Sequence, residues 1–254
     1  MPGSPFKVAL ITGAAKRIGA EIARQLHAAN FNVIIHYHQS TTAAIELAEE
    51  LNEKRANSVA TFSADLNDLT QVEQLAKDSY TIWQRIDLLV NNASSFFPTP
   101  IGGINTKDWD QLINSNLKAP FFLAQALAPE LGKNRGCIIN IADIYADKPL
   151  KNHSVYSIAK AGNIMLTKSL ALELAPTVRV NGIAPGAILW PDDSHKKNED
   201  KLSDDDKVKM LAKIPLQERG RKSDISRAIL FLANDSPYIT GEIIKVDGGR
   251  SITI

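Results

Sequence analysis

The chain has one cysteine among 254 residues, so no intrachain disulfide can form. Cys137 lies in the apolar run Gly136-Cys137-Ile138-Ile139-Asn140, which reads as the setting of a buried, inert thiol. Charge of one sign is also missing. The 29 basic and 28 acidic residues leave a formal charge of +1, too little for the long-range field that gathers nucleic acid or an anionic membrane. No apolar run approaches the ~18 residues that would read as a membrane-spanning helix. Met1-Pro2-Gly3-Ser4-Pro5-Phe6 has neither the basic start nor the apolar stretch of a secretory signal, so a cytoplasmic protein is expected. There is no internal repeat and no Pro/Gly/Ser linker. One domain over 1–254 is expected, and 44% hydrophobic residues suffice for its core. No metal site is expected.

What the chain does have is rhythm. Apolar, strand-like runs at 7–11, 31–37, 59–63, 88–90, 137–141, 179–183 and 243–246 are separated by helical patterns, among them 17–29 and 41–55. In the second of these, Ala44, Leu47, Ala48 and Leu51 form one face. This alternation predicts an α/β fold, a doubly wound parallel sheet with helices on both faces and right-handed crossovers. The stretch 190–209 breaks the pattern. It is crowded with Asp, Glu, Lys and Asn and follows Pro185-Gly186 closely, as either a solvated excursion or a mobile lid over a substrate site.

The first strand runs into Thr12-Gly13-Ala14-Ala15-Lys16-Arg17-Ile18-Gly19 and then a helix. Backbone N–H groups at such a turn suit a pyrophosphate, and glycine permits its close approach. A glycine-spaced turn is a weak signal alone; its place after the first strand of a βα chain strengthens it. No acid appears between Phe31 and Ile45, where an NAD site would place a carboxylate for the ribose 2′-hydroxyl. With Lys16, Arg17, His36, His38 and Ser40 available as donors, NADPH is the expected cofactor.

Tyr156 and Lys160 are four residues apart, which on a helix puts phenol and ammonium on one face. A nearby positive charge favours the phenolate, and so makes the tyrosine a usable proton donor near neutrality. Asp143 lies thirteen residues before Tyr156. A carboxyl group facing that pair suits reactions in which a basic nitrogen is protonated. It suits ordinary carbonyl reduction less well, because an ionised carboxylate repels a developing alkoxide.

Together, Thr12-Gly13…Gly19, Asp65, Asn91-Asn92-Ala93, Asn116, Tyr156-x-x-x-Lys160, Asn181 and Pro185-Gly186 resemble the short-chain dehydrogenase/reductase family over nearly the whole chain. The resemblance implies a single Rossmann domain, usually in a tetramer, with Tyr156 as proton donor. Lys160 would lower the tyrosine's pKa and hold the nicotinamide ribose. Asn116 would support a proton-relay water and Asp65 would contact the adenine. Gly13, Arg17, Ile18, Gly19, Leu66, Asn92, Ala93, Pro185 and Gly186 would complete the cofactor site.

Within that family the chain is most similar to the pteridine reductases. Arg17 stands where most relatives have a second glycine, Asp143 where they usually carry serine, and Ser94 where they have the glycine of Asn-Asn-Ala-Gly. Ser94-Ser95-Phe96-Phe97-Pro98-Thr99-Pro100, His36-Tyr37-His38-x-Ser40 and Val246-Asp247-Gly248-Gly249 match that branch. The resemblance implies a small-molecule pterin substrate bound by Ser94, Phe96, Asp143, Tyr156 and Trp190, with the pterin between the Phe96 ring and the nicotinamide. It also implies a homotetramer with helices around 105–126 and 154–174 at one interface, presenting Leu117, Phe121, Leu166 and Leu170.

There are departures. Gln39 replaces an arginine found in some of these reductases, the tail Arg250-Ser251-Ile252-Thr253-Ile254 lacks their near-terminal arginine, and the region after Asp65 is shorter than in protozoan members. The rival readings are a generic short-chain ketoreductase and an NADPH-binding module without turnover. Against the module stand Tyr156, Lys160 and Asn116, which binding alone does not require.

Overall fold

The computed structural model describes residues 4–190 and 203–253. Seven strands form one parallel sheet: β1 (Val8–Ile11), β2 (Asn32–Tyr37), β3 (Val59–Ser63), β4 (Leu88–Asn91), β5 (Cys137–Ile141), β6 (Arg179–Pro185) and β7 (Ile243–Val246). Their spatial order is β3-β2-β1-β4-β5-β6-β7. This is the expected doubly wound Rossmann arrangement.

The apolar runs are continuous because both faces of the sheet are covered. Alternate residues face opposite ways. Ala9, Ile11, Val33 and Ile35 pack with residues of α1 (Arg17–Ala28), α2 (Thr41–Lys54) and α8 (Lys222–Leu230), including Ile22, Leu26, Leu47 and Ile225. Val8, Leu10 and Ile34 pack with α3 (Leu69–Trp83), α5 (Ala119–Lys133) and α6 (Ser154–Leu174), through Val72, Leu75, Leu123, Leu127 and Leu170. Fully burying a Leu or Ile side chain contributes about 1.5–3 kcal/mol.

Three expectations change. The helical stretch expected around 105–126 is divided into α4 (Thr106–Ile113), a π turn (Asn114–Lys118) and α5. Leu166 and Leu170, expected at a subunit interface, are each only 7% exposed and belong to the core. The exposed large apolar residues of α6 are Ile158, Met165 and Leu172, spaced by seven on one face. Of the expected lid, 191–202 lie outside the described residues. Its end is not a loop: Ser203 caps α7 (Asp204–Leu211) by accepting from the Asp206 N–H, and Asp204, Asp205 and Asp206 occupy the first turn. A serine followed by three acids suits a helix N-terminus as well as a solvated surface.

Every carboxyl end of the sheet from β1 to β6 carries candidate site residues. The strand order reverses between β1 and β4, and in open α/β sheets ligands bind in the crevice at that point.

Candidate active site

The turn after β1 is clamped to the end of β4. Thr12 Oγ1 accepts from the N–H groups of Asn92 at 2.9 Å and Ala93 at 3.0 Å, while Asn92 Nδ2 donates to Thr12 O at 2.8 Å and Gly13 O at 3.1 Å. Gly13 has φ +61°, and a Cβ there would lie 3.0 Å from Ala93 Cα. A Cβ on Gly19 would collide with the Gly13 carbonyl and meet Asn92 Nδ2 at 2.7 Å. Only glycines permit this close, dinucleotide-type turn.

His36 does not serve as the phosphate donor expected of it. It is 2% exposed. Its Nδ1 accepts from the Gly13 N–H at 3.1 Å, which makes Nε2 the donor to Ala64 O at 3.0 Å. Burial pushes its pKa down to about 4, so the ring is neutral. It is a brace joining the ends of β1, β2 and β3. The exposed basic donors nearby are Lys16, Arg17 and His38. Ser40 precedes α2 without capping it through its side chain, and His38 Nε2 lies 3.9 Å from Asp65 Oδ2. Asp65 also accepts from the Asn67 N–H and side-chain amide, which with the His38 charge hold its pKa below the ordinary carboxylate value against the opposing effect of burial. Leu66 is buried beside it, and Ile18 packs on the α1 face of the core. Arg17 adopts φ +59°, a left-handed conformation that a non-glycine residue pays for by roughly 1–2 kcal/mol.

The acid–base cluster forms where β5 meets α6. Tyr156 OH donates to Asp143 Oδ2 at 2.6 Å, and Asp143 Oδ1 accepts from the Tyr145 N–H at 2.9 Å, capping the 3-10 turn Ile144–Ala146. Lys160 Nζ donates to Ile141 O at 2.8 Å and is 2% exposed. Burial lowers the Lys160 pKa to about 8, against an opposing pull from Asp143.

The expectation that Lys160 depresses the tyrosine pKa is overturned in this state. Burial, then the charge and hydrogen bond of Asp143, hold Tyr156 well above the ordinary phenol range, while Ser94 pulls weakly the other way. The Lys160 ammonium is 5.7 Å from the ring centroid and committed to a carbonyl. Burial also raises Asp143, opposed by the Tyr145 N–H, the Tyr156 hydroxyl, Lys160 and Arg250. Carboxyl and phenol are therefore best regarded as one coupled pair.

Asn116 sits in the π turn between α4 and α5, a distortion frequent at functional sites. Its backbone carbonyl accepts from Asn163 Nδ2 at 3.0 Å; its own Nδ2 donates to Leu112 O and Ser95 O, each at 2.9 Å. Ser94 Oγ donates to Asn116 Oδ1 at 2.7 Å, tying the loop after β4 to this turn. Phe96, half exposed, meets Tyr156 edge-on with centroids 4.8 Å apart. Pro185 and Gly186 close the end of β6, where a Cβ on Gly186 would meet Asp247 at 2.7 Å. Trp190 lies against the Arg219 guanidinium at 5.3 Å.

Sequence reasoning missed His153, which stacks on Phe96 at 4.6 Å, together with Asn163 and the Tyr145–Arg250 contact beside Asp143. Only His153 had a usable signal, since it lies three residues before Tyr156 at the start of α6.

A family model described as Enoyl-(Acyl carrier protein) reductase matches residues 13–251. Similar proteins include Pteridine reductase 1 of Leishmania tarentolae, 37% identical over 287 aligned positions covering 97% of this chain and 96% of that protein. The 3-oxoacyl-acyl-carrier-protein reductase FabG of Staphylococcus aureus (strain Mu50 / ATCC 700699) is 37% identical, covering 96% of this chain and 97% of its own. A 3-oxoacyl-acyl-carrier-protein reductase of Synechocystis sp. is 35% identical, with 96% of both chains covered. The chain belongs to the short-chain dehydrogenase/reductase family and is an oxidoreductase of that family. Among the described residues, no helix is long and apolar enough to cross a membrane.

Proposed function

We propose that the protein is an NADPH-dependent pteridine reductase that reduces a C=N bond of dihydropterins of the dihydrobiopterin or dihydromonapterin type, with oxidised pterins and dihydrofolate as further candidate substrates. The observation that carries this reading is the 2.6 Å hydrogen bond between Tyr156 and Asp143.

The residues around the βα turn fit a dinucleotide. Gly13 and Gly19 leave no room for a side chain, and Arg17 keeps its guanidinium at a backbone position that favours glycine. Arg17, His38 and the uncapped Ser40 would hold the 2′-phosphate, Asp65 and Leu66 the adenine side, Asn92 and Ala93 the middle, and Lys160 the nicotinamide ribose. When bound, NADPH supplies hydride to the substrate carbon.

The protein's own part is the proton. Tyr156 passes its hydroxyl proton to the substrate nitrogen as protonated Asp143 returns one to the phenol oxygen, and solvent reprotonates the carboxylate. A phenol so resistant to ionisation is a poor donor alone; concerted resupply removes the need for a free phenolate. The short Asp143–Tyr156 contact can run in either direction, according to which oxygen holds the shared proton. Phe96 supplies an aromatic wall and Ser94 a hydroxyl for the hydrogen-bonding edge of a flat heterocycle.

A second reading, a 3-oxoacyl thioester reductase, is favoured by the equal 37% identity to FabG. Asp143→Asn tests between them. The amide keeps the shape but cannot exchange a proton, so dihydropterin turnover should fall about 10²- to 10⁴-fold with little change in NADPH binding. An unchanged rate would remove the carboxyl group from the chemistry.

A further inference from the structure

The Asp143–Tyr156 pair is backed by a residue from the far end of the chain. After β7, Asp247 Oδ1 accepts from the Gly249 N–H at 2.9 Å and Oδ2 from the Ser251 N–H at 2.8 Å, fixing a 3-10 turn over Arg250–Ile252. Thr253 Oγ1 donates to Lys213 O at 2.7 Å and secures its end. The turn carries Arg250 into the interior, where it is 9% exposed.

Arg250 Nη2 donates to the Tyr145 hydroxyl at 3.0 Å, its guanidinium carbon is 5.9 Å from the centroid of that ring, and Nε is buried without a partner. Among the described residues it makes no ion pair. A guanidinium stays charged, and burying such a charge without a carboxylate costs several kcal/mol. A purely structural link to a tyrosine hydroxyl would not require a cation. Tyr145 thus joins the two groups, its hydroxyl accepting from Arg250 while its backbone N–H holds Asp143 Oδ1.

We propose that Arg250 is a positioning residue for the Asp143–Tyr156 pair: it anchors Tyr145, whose N–H holds the carboxyl group, and supplies the counter-charge for the carboxylate that proton transfer leaves behind. This goes beyond the proton-relay reading but rests on Asp143 as the group that titrates. The charged and titratable groups facing Asp143 are Tyr145 on its own turn, Tyr156 and Lys160 from α6, and Arg250 from the C-terminal turn. Of these, Lys160 and Arg250 favour the ionised carboxyl by charge while burial opposes it. Removing Arg250 should therefore make Asp143 harder to ionise.

The test is infrared titration of the free protein, with the carboxyl band assigned by its loss in Asp143→Asn. Arg250→Met should move the Asp143 midpoint upward by about one pH unit or more, the scale of a nearby charge, while Arg250→Lys should leave it near the native value. Tyr145→Phe keeps the N–H but releases the guanidinium, and should give an intermediate shift. It reports the same link if Arg250→Met does not fold. A midpoint unchanged in whichever of Arg250→Met and Tyr145→Phe folds would overturn the proposal. The readout needs no substrate. Should the midpoint move in a protein that ignores dihydropterins, Arg250 keeps its role and the pterin reading alone falls.

Discussion

Lys160 is the residue whose removal should cost the enzyme its activity and give the fold something back. Its ammonium is 2% exposed and bonded to one carbonyl, Ile141 O. The fall of its pKa from 10.5 to about 8 corresponds to about 3 kcal/mol of native-state destabilisation, at ~1.4 kcal/mol per pH unit. A depressed lysine pKa means that the unfolded chain binds the proton more tightly. The penalty is therefore fully present below pH 8 and fades as pH rises toward 10.5.

Lys160→Met keeps the length of the side chain and removes the charge. It also leaves the Ile141 carbonyl without its partner, which costs about 1 kcal/mol. The net gain should be about 2 kcal/mol at pH 7, or about 4–8 °C in Tm for a domain of this size, and close to zero at pH 10. Urea unfolding of both proteins, free of cofactor and at equal protein concentration, measures this at the two pH values, with NADPH oxidation expected to be lost. Equal stability at pH 7, or a gain that persists unchanged at pH 10, would refute the reasoning.

Arg17→Gly should relieve the φ +59° strain and stabilise the free protein by about 1 kcal/mol, while raising the KM for NADPH more than that for NADH. A proportionate rise for both cofactors would detach Arg17 from the 2′-phosphate. A homotetramer is expected, with the exposed Ile158, Met165 and Leu172 stripe of α6 at an interface. Light scattering should show it at micromolar concentration, and Met165→Glu should dissociate it; a native protein that scatters as a monomer contradicts the assignment.

The central strands were legible because β1, β2, β4 and β5 are buried on both faces and so read as nearly unbroken apolar runs. Tyr156 and Lys160 were legible because helical spacing alone puts them side by side. What the chain could not show in advance depends on contacts distant in sequence. His36 looks like a free strand-end donor until its two ring nitrogens are found between Gly13 and Ala64. The π turn at Asn114–Lys118 has no marker in the periodicity, since it shifts a helix by one residue and leaves its composition unchanged. In α6 apolar residues lie all round the helix, so periodicity could not say that Leu166 and Leu170 face the sheet while Met165 and Leu172 face outward. Arg250 meets Tyr145 across 105 positions, a pairing that only the closure of β7 onto β6 brings about. Lys160 was assigned the right place and the wrong dominant effect, because spacing carries proximity but says nothing about desolvation.

Asp143 is the residue proposed to commit the active site to C=N bonds. The most direct measurement is the kcat/KM of the native protein for NADPH oxidation with dihydrobiopterin, dihydromonapterin, dihydrofolate and a 3-oxoacyl thioester under one set of conditions. A dihydropterin turned over well above the thioester is the expected result. Efficient reduction of the thioester with no turnover of any pterin would contradict the account and return the protein to the ketoreductases.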